Sequence, residues 1–379
     1  MSVILNTADF RMLARRRIPK AIFDYADGGA YQERTLRRNA ADLDAIQFHQ
    51  RVMVDVSNIS TATTMLGCAA SIPLAIAPTG LAGLFHADGE ILGARAAAAF
   101  GIPFCLSTLS ICSIEDVREA TQQPFWFQQY LMRDRGFNKE LIERARAAQC
   151  SALVLTLDLP IQGERHRDPR NGLTIPPRLN LRNALDILGK PGWVRRVLLG
   201  KRRTFGNLVG RVGGDSRFST LTEWISTQFD ASITWRDVEW VRALWPGKLI
   251  LKGILDAEDA KQALAIGADG IVVSNHGGRQ LDGAPATITV LPQIVDALAG
   301  RCEVLFDGGV RSGQDIAKAL ALGARGALMG KSYLYALAAQ GEAGVTRLLN
   351  ILSKELRVTL ALTGTTDVKA AGKQMLHGY

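Results

Sequence analysis

Cysteine is scarce and irregular in this chain of 379 residues: Cys68, Cys105, Cys112, Cys150 and Cys302 are odd in number and far apart. That pattern argues against a disulfide framework, offers no metal-ligand spacing, and points to a reducing, cytoplasmic setting. Long apolar runs are absent too. No stretch approaches the roughly 18 apolar residues of a membrane span, and after its first residues the N-terminus lacks the apolar core of a secretion signal. The expectation is a chain neither exported by that route nor integral to a membrane. Acidic residues are missing from one place in particular. From Arg178 to Arg211 nine basic residues face one acid, Asp186, a net +8 out of +9 for the whole chain. No nucleic-acid recognition motif accompanies that charge.

What is present is ordinary globular material, 47% apolar and 21% charged, in a repeating order. The first 50 residues or so are helical in pattern, with Phe23 to Ala30 reading as a break between two helices. Strand-like runs follow at Ile72 to Pro78, Pro103 to Thr108, Phe125 to Tyr130, Ala152 to Asp158, Leu249 to Gly253, Gly270 to Asn275, Val304 to Gly309 and Gly326 to Gly330. Amphipathic helical stretches lie between most of them, such as Glu90 to Phe100 and Gly313 to Gly323. Eight strands alternating with helices predict a closed (β/α)8 barrel, preceded by N-terminal helices and built as one domain over 1–379. The longest connection follows the fourth strand. It holds the basic stretch and reads as an inserted lid or membrane-association segment at 178–222.

Polar residues gather where the strands stop. Thr79, Ser107, Gln128 with Tyr130, Thr156 with Asp158, Lys252, Ser274 with His276, Asp307 and Lys331 all fall at or just past strand ends, the end of a (β/α)8 barrel that carries the active site. The run Ile271 to Asp282 is the densest. His276 can exchange a proton near neutral pH, Arg279 offers a fixed fork for a carboxylate, and Gly277 and Gly278 let the backbone turn tightly around a ligand. Asp307-Gly308-Gly309-Val310-Arg311 and Gly330-Lys331 read as a phosphate site of freed backbone N–H groups and two cations. Lys252 fits a Schiff-base lysine, a counter-charge for an electron-accepting ring, or a plain ion pair with Asp307 or Asp158.

The set Asp24-Tyr25, Ala77-Pro78-Thr79-Gly80, Leu106-Ser107-Thr108, Gln128-Gln129-Tyr130, Leu155-Thr156-Leu157-Asp158, Gly163-Glu164-Arg165, Lys252-Gly253, Ser274 through Asp282 and Asp307-Gly308-Gly309 resembles the FMN-dependent L-2-hydroxy-acid oxidase and dehydrogenase family over about residues 8 to 365. Within it the chain is most similar to the membrane-associated bacterial L-lactate and (S)-mandelate dehydrogenases, in Pro78-Thr79-Gly80-Leu81 and in the length of the insertion. The resemblance implies FMN as cofactor and a small 2-hydroxy acid as substrate. It makes His276 the base with Asp158 orienting it, Arg165 and Arg279 the carboxylate clamp, and Tyr25 and Tyr130 further substrate contacts. Lys252 would face the flavin N1/O2 edge, Thr79 and Gly80 would run along the ring, and Ser107, Gln128 and Thr156 would bond its pyrimidine side. Ser274 would lie near the cofactor, Asp307 would hold the ribityl chain, and Gly309, Arg311, Gly330 and Lys331 the phosphate.

Three departures or extensions follow from the same likeness. Lys331 stands where the family usually has arginine, a point charge in place of a fork. Gly80 and Leu109 stand where glycolate oxidase has alanine and tryptophan, which leaves room for a larger substrate side chain. The insertion mixes its cations with Leu185, Leu188, Trp193, Leu198 and Leu199, a composition suited to an anionic membrane interface, though those apolar residues could instead pack on the barrel. The resemblance implies a peripheral protein on the inner face of the cell membrane that passes electrons to a quinone or other acceptor, and a homotetramer. The competing readings are a soluble oxidase that reduces O2 to H2O2, a flavin-free aldolase or isomerase working through Lys252, and a silent membrane-surface protein.

Overall fold

A computed structural model describes residues 3–174, 181–210 and 217–378. Among the described residues ten strands form two sheets. A small hairpin, β1 (Thr63–Met65) and β2 (Cys68–Ala70), precedes eight parallel strands: β3 (Leu74–Ile76), β4 (Cys105–Ser107), β5 (Trp126–Tyr130), β6 (Ala152–Thr156), β7 (Lys248–Ile254), β8 (Gly270–Val273), β9 (Glu303–Phe306) and β10 (Gly326–Met329). Their order, β3-β10-β9-β8-β7-β6-β5-β4, is closed by a parallel bridge between Ile76 and Phe104. All eight strands fall within or beside the runs read from the sequence, and the barrel is of the (β/α)8 type.

Strand alternation divides the apolar residues into two sets. Ala75, Ala77, Cys105, Trp126, Ala152, Val154, Ile250, Val272, Leu305 and Leu328 fill the barrel interior. Their neighbours, among them Ile76, Phe127, Leu153, Leu251, Ile271 and Phe306, face outward into the layer of helices. The hairpin seals the N-terminal end. Leu66 and Gly67 both take left-handed backbone, the tight two-residue turn that matches strand twist. Met65 and Leu66 then press on Gly326 and Gly270, where an added Cβ would stand 2.6 Å from Met65 and 3.0 Å from Leu66. The opposite end is left for the site.

Three helices precede the hairpin: α1 (Thr7–Arg17), α2 (Lys20–Asp27) and α3 (Arg34–Ala45). The break read at Phe23 to Ala30 therefore begins only at Gly28. Pro19 starts a new helix whose buried side, Phe23, Ala26 and Asp27, is continuous with the core, and the Gly28-Gly29 pair ends it. The insertion carries a helix at Leu181–Leu188, a helical stretch at Pro191–Leu198 that ends in a π-turn, and a helix at Phe218–Gln228. Arg178 and Arg211 lie outside the described residues, and position 222 falls inside the last of these helices. Among the described residues no helix is long and apolar enough to cross a membrane.

Candidate active site

The strand-end residues open onto one cavity of about 650 Å3, within the range of small-molecule sites. His276, Arg165, Arg279, Tyr25, Tyr130, Lys252, Thr79, Gly80, Asp307, Gly309, Arg311, Gly330 and Lys331 all line it. Ser107, Gln128, Thr156 and Ser274 do not line it but are buried beside it.

His276 itself takes left-handed backbone, followed by Gly277 and Gly278 in the same region. A non-glycine residue there needs support, and the loop supplies it. Asn275 exchanges amide bonds with Asn39 of α3 at 2.8 and 2.9 Å, and its Oδ1 also accepts from the Gly278 N–H at 3.1 Å. His276 Nδ1 lies 3.0 Å from Asp158 Oδ1, which leaves Nε2 as the ring nitrogen available to a ligand. Burial pushes the imidazole below its usual value, and the Lys252 and Arg165 cations add to that against the pull of Asp158. The neutral ring is therefore the resting form at neutral pH. Asp158 stays ionised: burial pushes its carboxyl up, but His276 and Lys252 outweigh that and hold it below the ordinary value. It fits so closely because Gly253 sits at a bulge in β7 with left-handed φ, where any Cβ would stand 2.7 Å from the Asp158 side chain.

Lys252 is fully enclosed. Its ammonium donates to Ser274 Oγ at 2.8 Å and lies 3.2 Å from Asp307 Oδ2. Burial works against its charge, but Asp307 and Asp158 prevail and keep its pKa above the ordinary value. A lysine held protonated is a poor nucleophile, which removes the physical basis for a Schiff-base role. The ion pair with Asp307 is present, and a fixed charge in this place is compatible with the counter-charge reading.

Arg279 stacks its guanidinium on the Tyr25 ring, 4.9 Å from the centroid, and donates to the Tyr25 and Gly28 carbonyls. Burial, with Arg165 beside it, lowers its pKa to about 10. Two guanidiniums forced together at a cavity wall form a site for an anion. Arg165 reaches the same wall from the loop after β6, its Nε donating to the Arg279 carbonyl at 3.4 Å. Tyr130 is half-buried at the cavity wall, and burial plus the nearby Asp158 push its hydroxyl well above its usual value, so it remains a donor.

The fit to FMN can be tested on unanswered polar atoms. Ser107 Oγ donates to Gln128 Oε1 at 3.0 Å, which turns the Gln128 Nε2 donor away from it. That Nε2 and Asp307 Oδ1 are buried without a protein partner. A donor and an acceptor of this kind suit the polar edge of a flavin ring and a ribityl hydroxyl. Gly308 and Gly309 take positive φ, and with Gly330 they bring backbone close to the cavity. Lys331 differs from expectation in this structure: its ammonium donates to the carbonyls of Asp27 and Gly28, at 3.0 and 2.8 Å.

Several supporting residues carried no assigned role in the sequence reading. Gln280 donates to the carbonyls of Asp158 and Ile161 and accepts from Gly163 N–H, so it pins the loop carrying Asp158 and Arg165. Asp282 accepts from the backbone N–H of Gln32 and Thr35 and so secures the start of α3. Both lie in the Ser274–Asp282 string, where unexplained polar residues after the histidine were the available signal. The helix Phe218–Gln228 contributes Phe218, Thr222, Ile225 and Ser226 to the cavity wall, followed by Phe229.

The insertion divides. Trp193 is 4% exposed and its indole N–H donates to the Leu84 carbonyl at 2.7 Å; Val197, Phe205 and Leu208 are buried as well. Arg202 bridges Asp88 and Asp116 at 2.7 Å each. The alternative of packing on the barrel holds for these residues. Leu181, Leu185, Leu188 and Leu199 are 61–78% exposed, beside exposed Arg182, Arg195, Arg196, Lys201 and Arg203.

Residues 14–378 match the family described as FMN-dependent dehydrogenase. An L-lactate dehydrogenase of Caulobacter vibrioides is 50% identical over 99% of this chain and 98% of its own length. Another, from Chromohalobacter salexigens, is 47% identical over 99% of this chain and 95% of its own length. The crystal structure of the monotopic membrane protein (S)-mandelate dehydrogenase superposes with a TM-score of 0.95, at 39% identity and full coverage of both chains. With the phosphate-type turns, the enclosed lysine and the histidine–aspartate pair gathered at one barrel mouth, the chain belongs to the FMN-dependent dehydrogenase family.

Proposed function

We propose that this protein oxidises an L-2-hydroxy acid of lactate or mandelate type to the 2-oxo acid and passes the electrons to a membrane quinone or another acceptor. The observation that carries the reading is the pair Arg165 and Arg279 beside the His276–Asp158 couple in one cavity. The arginines hold the carboxylate, with Tyr25 and Tyr130 adding hydroxyl contacts. That fixes the carbinol carbon near His276, whose Nε2 takes a proton while Asp158 stabilises the imidazolium that results. Bound FMN supplies the two-electron acceptor. Lys252, held by its bonds to Asp307 and Ser274, would hold a fixed positive charge beside the flavin. Gln128, Thr156, Ser107, Ser274, Thr79 and Gly80 would contact the flavin, and Asp307, Gly309, Arg311 and Gly330 its ribityl phosphate.

Apolar walls from Leu109, Ile225, Phe218 and Phe229 accept either a methyl or a phenyl group. The exposed leucines and cations of residues 181–203 support peripheral attachment to an anionic surface, on the inner face of the membrane, with the protein as a homotetramer. The test is the visible spectrum of purified protein under nitrogen, with (S)-lactate and (S)-mandelate in parallel. Bleaching of an oxidised-flavin spectrum is expected, faster with the acid that fits. A flavin that neither acid bleaches overturns the substrate class, and stoichiometric peroxide under air overturns the quinone-type acceptor.

A further inference from the structure

The end of α2 is a junction. The Ala30 N–H donates to the Gly278 carbonyl and the Tyr31 N–H to the Glu164 carbonyl, both at 2.9 Å, so one turn ties the histidine loop to the loop that carries Arg165. Gly29 is confined there, since an added Cβ would stand 2.7 Å from the Gly278 carbonyl. The Asp27 carboxylate, held down to about 2 because Arg11 and Tyr335 outweigh its burial, accepts from Arg11 at 2.8 Å, Arg167 at 3.0 Å and the Tyr335 hydroxyl at 2.8 Å. Arg279 rests on the same turn through the carbonyls of Tyr25 and Gly28.

Lys331 belongs to this junction. It begins the long helix Lys331–Leu362, and Tyr335 lies one turn on. Its Nζ donates to the Asp27 and Gly28 carbonyls at 3.0 and 2.8 Å, and its Cε would lie 3.8 Å from a Cβ placed on Gly277. Carbonyls at a helix C-terminus carry partial negative charge, and although burial and then Arg279 push the Lys331 pKa well below the ordinary value, its compact amine head keeps the two N–H donors that serve two of them together. Gly28 O is shared between Lys331 and Arg279. We infer that Lys331 is a positioning residue for the substrate clamp, holding the Tyr25–Gly28 carbonyls that seat Arg279, while Arg311 and the glycine backbone carry the phosphate charge.

The assignment rests on the proposed hydroxy-acid reading and is tested on protein whose wild type has first been shown to oxidise such an acid. Failure of that first step concerns the reading and not Lys331. Two constants are then measured for Lys331→Met: Kd for FMN, by quenching of free FMN fluorescence on titration into deflavinated protein, and KM for the acid at saturating FMN. The expected result is a KM at least tenfold higher, a proportionally smaller change in kcat, and a Kd within about threefold of wild type. Lys331→Arg, which can still reach both carbonyls, should bring KM back to within about threefold. Arg311→Met should show the opposite split. Should Lys331→Met not fold, Tyr335→Phe loosens the same junction from one turn away and should raise KM severalfold with Kd unchanged. A Kd for FMN that rises tenfold or more, or a KM that stays at the wild-type value, overturns the inference.

Discussion

The barrel mouth and the inserted segment are both rich in cations, and they use them in opposite ways. At the mouth the charges are paired and fixed. Lys252 faces Asp307, His276 faces Asp158, and Arg167 reaches Asp27 and Glu33. The arginines at positions 165 and 279 face the cavity together, a repulsion that an anionic ligand would relieve. In residues 181–203 several cations point outward among leucines that are largely exposed. An enclosed cation selects a small anion with defined geometry, whereas exposed cations on an apolar surface answer to an extended charged interface. The basic composition of the chain is therefore two signals, and only the surroundings of each residue separate them.

That contrast breaks if changes in one region alter the behaviour assigned to the other. The largest effect is expected at the mouth. His276→Gln should lower turnover by about a thousandfold, the scale of a lost general base, while the flavin spectrum of the purified protein stays normal. In the wild type, kcat/KM should fall as pH drops through the His276 pKa, because a protonated ring cannot accept a proton. Burial places that pKa below the ordinary 6.5, so the profile should already be level at neutrality; a fall centred above 7 would reassign the base.

Arg279→Met should raise KM by about thirtyfold, the equivalent of a charge-assisted bond worth about 2 kcal/mol, and leave vesicle binding unchanged. In the insertion, Leu185→Glu with Leu188→Glu should reduce partitioning to anionic vesicles by about tenfold or more, from lost apolar insertion and added repulsion. Turnover with a water-soluble acceptor should not change. If partitioning persists in that double variant, the leucine face is not the contact. The smallest effect should come from Gly80→Ala. Its Cβ would stand 3.3 Å from the Leu109 carbonyl and 3.7 Å from the Tyr25 hydroxyl, tight without a clash. The preference for lactate over mandelate should rise about threefold, less than a full steric conflict would produce. An unchanged ratio would show that the substrate side chain lies elsewhere.

The eight strands were legible because each is an apolar run closed by a polar residue and followed by a helix, and the two periods differ sharply. The hairpin Thr63–Ala70 escaped notice since two strands of three residues offer too little alternation to read. Phe23–Asp27 looked like a break on the strength of its glycine neighbours, but tertiary burial of Phe23 and Ala26 carries the helix to Asp27. The cluster at the mouth was visible as residue types at strand ends. Its supports were not: Asn39 pairs with Asn275 across 236 positions, and Arg167 meets Asp27 across 140. Such partners are set by the closed path of the barrel, and local pattern holds no record of them. Lys331 shows the same limit, since its place beside a phosphate-type turn said nothing of the helix end it touches.

The hairpin floor has a consequence for traffic. Met65, Leu66 and Ala70 stopper one end of the barrel, so among the described residues the cavity lies at the other end, walled in part by the Phe218–Gln228 helix. If the proposed function holds, acid and acceptor would both approach from that mouth, and an excess of the acid should slow turnover at low acceptor concentration.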